Sequence, residues 1–354
     1  MDADTRTFLD ELLSTPSPAG YETDGQKVWL DYVGEFADET RTDAYGNAVA
    51  TYEGGDGPHI VFSGHADEIG FTVAAITDEG FVRIIPIGGA DPTVSRGTQI
   101  RIHTDDGPVN GVIGQTAIHL RDRNDDEDVP EIRAQHVDIG AEDGEEAHDL
   151  VEVGDPATSA MGVHDLAGTR IAARGLDNRV GTWVAAEALR LAREREVDAR
   201  ICAVSTVQEE LGLKGAEMVG FSLDPDAAIA VDVTHAGDNP GYPSDWANEI
   251  ALGGGPVVSR GTANHPNLVE AVRAAAEAED LPYQLQATGR RTGTDADAYY
   301  TQKGGIPTLN LGIPNRYMHT PAEVVDTDDL ETAATVLAAM ADREDERTSF
   351  GVRL

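Results

Sequence analysis

Ile201-Cys202-Ala203-Val204-Ser205-Thr206-Val207-Gln208-Glu209-Glu210 is the stretch that decides the fold. Seven small, apolar or β-branched residues run without a charge, which is the mark of a strand buried on both faces. Two carboxylates follow at once. Three other segments end in the same way. His59–Ser63 reads as a strand, with His65 and Asp67 just past it. Ala227–Val233 reads as a strand with Asp232 at its end, and Pro307–Ile313 as a strand with Arg316-Tyr317-Met318-His319 close behind. Val180, Trp183, Val184, Ala188 and Leu191 share the spacing of one helix face, so a helix opens after Arg174-Gly175-Leu176, with Asp177 at its start. Strands alternating with helices predict an α/β domain, a mixed sheet flanked by helices. Open α/β sheets gather ligands beyond the carboxyl ends of their strands. Acidic and imidazole groups far apart in sequence are thereby brought to one crevice.

Outward from this centre, Phe8, Leu9, Leu12 and Leu13 predict a first helix, stopped by Ser14-Thr15-Pro16-Ser17-Pro18. Val28, Leu30 and Val33 mark a second. Asn47–Tyr52 is a further strand, parted from His59–Ser63 by a turn at Gly54–Gly57. Asn267–Ala278 and Asp328–Ala341 are helical, with Thr327-Asp328 as candidate caps for the latter. Between Gly70 and Ala167 the texture changes. Phe71–Ile76, Phe81–Ile85, Gln99–His103 and Gly111–Gly114 are short alternating runs punctuated by Gly, Asp and Pro. They predict a small all-β module, a barrel or sandwich. The expected boundaries are residues 1–69 plus 168–354 for the α/β domain and 70–167 for the insertion. Arg121–Asp128 is a charge run expected to be a solvated loop.

With 26 basic against 64 acidic residues, the formal charge is −38. Only Lys27, Lys214 and Lys303 are lysines. Such a surface argues against nucleic acid as a partner, since phosphate binding needs clustered cations. It fits a protein adapted to concentrated salt, where a Debye length of about 3 Å screens self-repulsion. No apolar run is long enough to span a bilayer. The first residues lack the basic and apolar regions of a signal peptide, so a cytoplasmic location is expected. The single cysteine, Cys202, excludes a thiolate-rich metal site. Any metal must be held by His, Asp and Glu.

Each candidate has an ordinary reading when taken alone. His65 is one of ten histidines. Asp177 can cap a helix, and Glu209-Glu210 can be a solvated pair. Asp232, inside Ile229-Ala230-Val231-Asp232-Val233, stands apart, because a buried carboxylate must be paired or metal-bound. Together, as a His/Asp/Glu set at strand ends, they suit divalent ions such as Zn²⁺ or Co²⁺.

The segments His65-Ala66-Asp67-Glu68-Ile69-Gly70, Leu176-Asp177-Asn178-Arg179, Gln208-Glu209-Glu210, Val231-Asp232-Val233, Gly293-Thr294-Asp295-Ala296 and Arg316-Tyr317-Met318-His319-Thr320 resemble, in order, the motifs of the M42 metallo-aminopeptidases of the tetrahedral (TET) type. Gly253-Gly254-Gly255-Pro256 is also similar to that family. The resemblance spans nearly the whole chain. It implies a zinc-peptidase-like catalytic domain, with Asp177 bridging two metals. His65 and Asp232 would complete one site, and Glu210 and His319 the other. Glu209 would be the general acid/base, and Asp67 would orient His65 from behind. It further implies peptide substrates and a large homo-oligomer, a dodecamer, with the β insertion at subunit contacts. Thr294-Asp295-Ala296, Arg316, His235 and His265 receive no role at this stage. Nor does any motif indicate which N-terminal residue is preferred. A related two-metal carboxypeptidase, or a deacylase acting on N-acyl amino acids, would use the same ligand logic. A glycosidase is disfavoured because adjacent Glu209 and Glu210 do not supply opposed carboxyls about 5–10 Å apart. A non-enzymatic metal-binding scaffold would leave Glu209 without a task.

Overall fold

The computed structural model describes residues 1–121, 129–243, 249–343 and 350–352. The charge run at Arg121–Asp128 therefore lies, beyond Arg121, outside the described residues. The chain opens with helices α1 (Ala3–Ser14) and α2 (Thr23–Val33), then strands β1 (Glu39–Thr42), β2 (Ala48–Glu53) and β3 (His59–His65). The insertion follows with β4 (Gly70–Ile76), β5 (Phe81–Ile87), the turn-like α3 (Pro92–Ser95), β6 (Gln99–Thr104), β7 (Gly107–Ile113), β8 (His136–Asp138), the short α4 (Gly144–Leu150) and β9 (Pro156–Ser159). The chain returns through β10 (His164–Asp165) and β11 (Arg170–Ala173) into the long α5 (Leu176–Glu194). Then come β12 (Arg200–Thr206), α6 (Lys214–Leu223), β13 (Ala227–His235), β14 (Val257–Gly261), α7 (Pro266–Ala278), β15 (Gln284–Thr288), α8 (Ala296–Tyr299), β16 (Thr308–Asn315), β17 (Glu323–Asp326) and α9 (Thr327–Ala341).

Eight strands form one mixed sheet in the order β1-β2-β12-β3-β13-β16-β14-β15. Its centre, β12-β3-β13-β16, is parallel throughout. The centre is apolar because both faces are covered, and the period of two decides which side chain goes where. On β3, Ile60 and Phe62 join the larger core with α1, α2, α5, α7 and α9, while Val61 points into the smaller core with α6 and α8. On β12, Ile201 and Ala203 face the first core, and Cys202 and Val204 the second. Truncating a fully buried side chain such as Phe62 to alanine would cost about 3–5 kcal/mol. The buried indoles Trp29 and Trp183 donate to the carbonyls of Thr182 and Thr5, so burying them leaves no N–H unpaired.

The insertion is a closed barrel, β4-β5-β8-β7-β6-β9, with its own core of Phe71, Val73, Val82, Ile84, Ile100, Ile102, Ile113 and Val137. A three-stranded sheet, β10-β11-β17, lies where the chain re-enters the α/β domain.

Three expectations shift in detail. β3 extends to His65, so that histidine is the last strand residue rather than one beyond the end. β13 continues three residues past Asp232, to His235, because it keeps pairing with β16 as far as Asn315. Helix α9 is capped by Asp326, whose carboxylate accepts the Asp328 amide, and Thr327 is already helical. Among the described residues no helix is long and apolar enough to cross a membrane.

Candidate metal centre

Close packing of β3 on α5 sets the centre of the site. A side chain at Gly64 would place its Cβ 2.3 Å from the Gly181 carbonyl carbon, so β3 can lie this close to α5 only because residue 64 is glycine. That contact brings His65, next along β3, over the first turn of α5. There Asp177 and Asn178 depart from helical geometry, and Asp177 lines the crevice.

Asp177 divides its carboxylate between two histidines. Oδ1 lies 3.1 Å from His65 Nε2, and Oδ2 lies 3.3 Å from His319 Nε2. Around the first histidine, Asp232 Oδ1 is at 3.7 Å and Glu209 Oε2 at 3.9 Å. Around the second, Glu210 Oε1 is at 3.6 Å. Two groups of donor atoms result, His65–Glu209–Asp232 and Asp177–Glu210–His319, each within 4.8 Å. Glu209 thus reaches as close to the first group as a ligand would, and its carboxylate is the only one of the four not assigned to ligation by the sequence reading.

Four carboxylates and two imidazoles in a largely buried crevice are costly without a cation. Their proton affinities record this. Burial pushes Glu209 up to about 10, with Asp232, Asp295 and Glu210 adding to the rise against His65. Burial and the neighbouring carboxylates push Glu210 and Asp232 each to about 7. Burial would raise Asp177 too, but hydrogen bonds from His319 and His65 hold it below the usual carboxylate range. His65 is raised well above its ordinary value despite burial, by Asp232 and Glu209 foremost. A donor set of this chemistry fits two divalent ions, which would take the place of the protons.

Asp67 sits behind both groups, in a way its sequence position did not reveal. His65 Nδ1 is 3.1 Å from the Asp67 carbonyl oxygen and 3.5 Å from its carboxylate. The carboxylate itself accepts the Glu209 and Glu210 amides, each at 3.0 Å. Asp67 therefore fixes the Glu209–Glu210 turn as well as facing the imidazole. Glu22 supports the same turn by accepting the Gln208 amide at 3.1 Å, and Gln208 has φ 56°. Glu323 does equivalent work on the other side, accepting the Asp177 amide at 2.9 Å and the His319 amide at 3.0 Å. Neither Glu22 nor Glu323 was singled out from sequence. In a chain with 64 acidic residues, a lone glutamate carries no signal. The barrel contributes as well: the Gly89 carbonyl lies 3.2 Å from His319 Nδ1.

Of the residues left without a role, Asp295 is buried and accepts the Thr206 hydroxyl at 2.6 Å, directly below the Gln208–Glu210 turn. Arg316 pairs with Asp238 at 2.6 Å and 2.8 Å. His235 lines the crevice, whereas His265 opens α7 and lines a separate cavity. Glu68, next to Asp67, is buried between Arg174 and Arg179.

The crevice has a volume of about 700 Å³. Beyond the candidate ligands it is walled by β15 and the loop after it, through Gln286, Thr288, Arg291 and Thr292, and by Ser259 and Asn310. It is large enough for a residue of a peptide beside the donor groups.

Comparison with known proteins identifies the family. Residues 46–336 match the model of the peptidase M42 family, described as M42 glutamyl aminopeptidase. A lysyl aminopeptidase of Pyrococcus furiosus is 33% identical over 94% of this chain and 95% of its own. A TET aminopeptidase from the marine sediment archaeon Thaumarchaeota archaeon SCGC AB-539-E09 superposes with a TM-score of 0.91 at 29% identity, over 98% of both chains. The Pyrococcus horikoshii TET1 peptidase, described as assembling into a tetrahedron or a large octahedral shell, superposes with a TM-score of 0.84 at 32% identity, over 95% of this chain and 99% of its own. The chain belongs to the M42 family and is an aminopeptidase.

Proposed function

We propose, on the premise that this chain is an M42 aminopeptidase, that it removes N-terminal residues from short peptides with two divalent ions, Zn²⁺ or Co²⁺, in the crevice. Asp177 would be shared between the two ions, His65 and Asp232 would hold one, Glu210 and His319 would hold the other, and Glu209 would be the general acid/base. The observation that carries this reading is the split of the Asp177 carboxylate, one oxygen toward each histidine. When bound, the ions lower the pKa of water and polarise the scissile carbonyl. Glu209 takes the proton of the attacking water and passes it to the leaving amine. Asp67 keeps Glu209 and Glu210 in register through their amides. A free substrate amine would be held near the carboxylates, which would restrict cleavage to the first residue.

The domain boundaries given above, 1–69 plus 168–354 and 70–167, belong to the same proposal. So does a homo-oligomeric shell, a dodecamer in its tetrahedral form, with the barrel at subunit contacts. Phe81, Ile85, Val112, Ile118 and Leu120 are exposed on the insertion, and apolar groups in such number favour self-association. A cytoplasmic location completes the proposal. Fractionation would place the protein, and sedimentation at high salt would give the subunit count.

The deciding experiment is metal analysis at high salt, combined with a panel of aminoacyl arylamides before and after chelation. Two equivalents of metal and chelator-sensitive release of the arylamine are expected. Absence of bound metal together with chelator-resistant cleavage would overturn the metal assignment. Release of C-terminal residues or of acyl groups in place of the arylamine would favour the carboxypeptidase or deacylase reading.

A further inference from the structure

We propose that the cavity at the start of helix α7, apart from the metal centre, binds a small oxyanion, a phosphate or a carboxylate group. The cavity has a volume of about 490 Å³, and its walls include Asn264, His265 and Arg290. Nothing in the peptidase chemistry proposed above uses it, so the two readings stand or fall separately.

The charge of its walls is the first observation. The chain has 64 acidic residues against 26 basic ones. Carboxylates line the metal crevice, the cleft beside Glu68 and the cavity beside Asp342. Among the described residues none lines this cavity, and Arg290 does. Arg290 is exposed and makes no ion pair or hydrogen bond among the described residues. Its guanidinium offers a planar fork of donors that suits phosphate and carboxylate oxygens.

Two buried donors are the second observation. Asn264 is 5% exposed. Its Oδ1 accepts the Asn310 amide at 2.7 Å, which fixes the orientation of the side chain and leaves Nδ2 without an acceptor. Nδ1 of the neighbouring His265 is buried and unpartnered too. Buried polar groups in folded proteins are paired as a rule, and an amide nitrogen can be completed only by an acceptor. His265 is also the N-cap of α7 and makes no side-chain cap bond, and the first turn of the helix holds no acidic residue. His265 and Pro266 both line the cavity, so the positive end of the helix dipole opens onto it with no carboxylate against it. A cation would meet a guanidinium here and no carboxylate. An apolar guest would leave both buried nitrogens unpaired. The site is separate from the crevice yet tied to it, because Asn310, held by Asn264, lines the crevice.

The test is equilibrium dialysis of the metal-loaded protein against radiolabelled phosphate, and in a second arm against radiolabelled acetate, at constant ionic strength in KCl. Saturable binding by the native protein is expected. Tighter binding of phosphate would name a phosphate group as the ligand, and tighter binding of acetate a carboxylate. Arg290→Gln, a change at an exposed position, should raise Kd for the preferred anion about tenfold, since a hydrogen bond to a charged group is lost. Asn264→Asp keeps the oxygen that accepts the Asn310 amide and replaces the donor by a second anionic oxygen, so binding should fall further still. Metal content and the thermal midpoint show that each variant is folded, and if Asn264→Asp does not fold, Arg290→Gln decides alone. Anion drawn to the metal ions would bind Arg290→Gln as it binds the native protein. That result, or no saturable binding of either anion by the native protein, would overturn the proposal.

Discussion

The Asp177 amide donates to Glu323 Oε2 across 2.9 Å, and through this bond a strand residue sets the position of the carboxylate that faces both histidines. The other oxygen of Glu323 accepts the His319 amide. One buried side chain therefore fixes the separation of two candidate ligands from different parts of the chain.

Glu323→Gln keeps the shape and replaces one acceptor by a donor that faces an N–H. It is expected to weaken metal binding about 10- to 100-fold, the usual effect of losing a partner behind a ligand. Calorimetric titration of the metal-free protein with Zn²⁺ checks it. Native affinity in the variant would reduce Glu323 to a packing role.

Glu209→Gln is expected to retain both metals and lose about 10²–10⁴-fold in kcat. Because Glu209 Oε2 approaches His65 Nε2 to 3.9 Å, the metal count matters as much as the rate. One metal lost on substitution would make Glu209 a ligand, and full activity would remove it from the chemistry.

Gly89→Ala places a Cβ 2.6 Å from His319 Nδ1. Since the Gly89 backbone is not among the left-handed residues, the clash is the main effect. Weaker binding of the second metal is expected, with little change in the thermal midpoint of the metal-free protein. Equal affinity at both sites would show that the loop yields freely.

Glu68 supplies a pH-dependent part of stability. Burial would raise its pKa, but Arg174 and Arg179 lower it from an ordinary 4.5 to about 2. The native carboxyl thus stays ionised where the unfolded one takes up a proton. Its stabilisation is complete above about pH 4.5 and is lost as pH falls through about 2. Glu68→Gln, which strands two buried guanidinium groups, should cost about 3–5 kcal/mol at neutral pH. The gap from the native protein should narrow between pH 4.5 and 2. Denaturant midpoints at several pH values measure this, and a constant gap would refute it.

The net charge of −38 is expected to make the fold salt-dependent. Raising salt from about 0.1 M to about 1 M shortens the Debye length from about 10 to 3 Å. The thermal midpoint should rise with it, and a midpoint independent of KCl would end the case for adaptation to concentrated salt.

Much of this architecture was legible because it follows local pattern. The unbroken apolar runs Ile201–Val207 and Ala227–Val233 lie at the centre of the sheet, buried on both sides. The short alternating runs after Gly70 close into the barrel. The candidate site was legible only where unusual chemistry interrupted an apolar run, as at Asp232. Glu22 and Glu323 were not, because each acts by accepting backbone amides from distant segments, a relation that no spacing records. Asp67 was seen as a partner of His65, yet its carboxylate is given mainly to the Glu209 and Glu210 amides. Register and chain crossing decide such bonds, and both are properties of the folded chain.

The Gly88-Gly89 loop leaves the barrel and ends against Glu210 and His319, where a side chain on either glycine would collide with them. The insertion therefore forms one wall of the candidate metal centre. A protein trimmed to its α/β sheet would lack the carbonyl that steadies His319. Deleting the barrel is therefore expected to weaken the candidate metal position at His319.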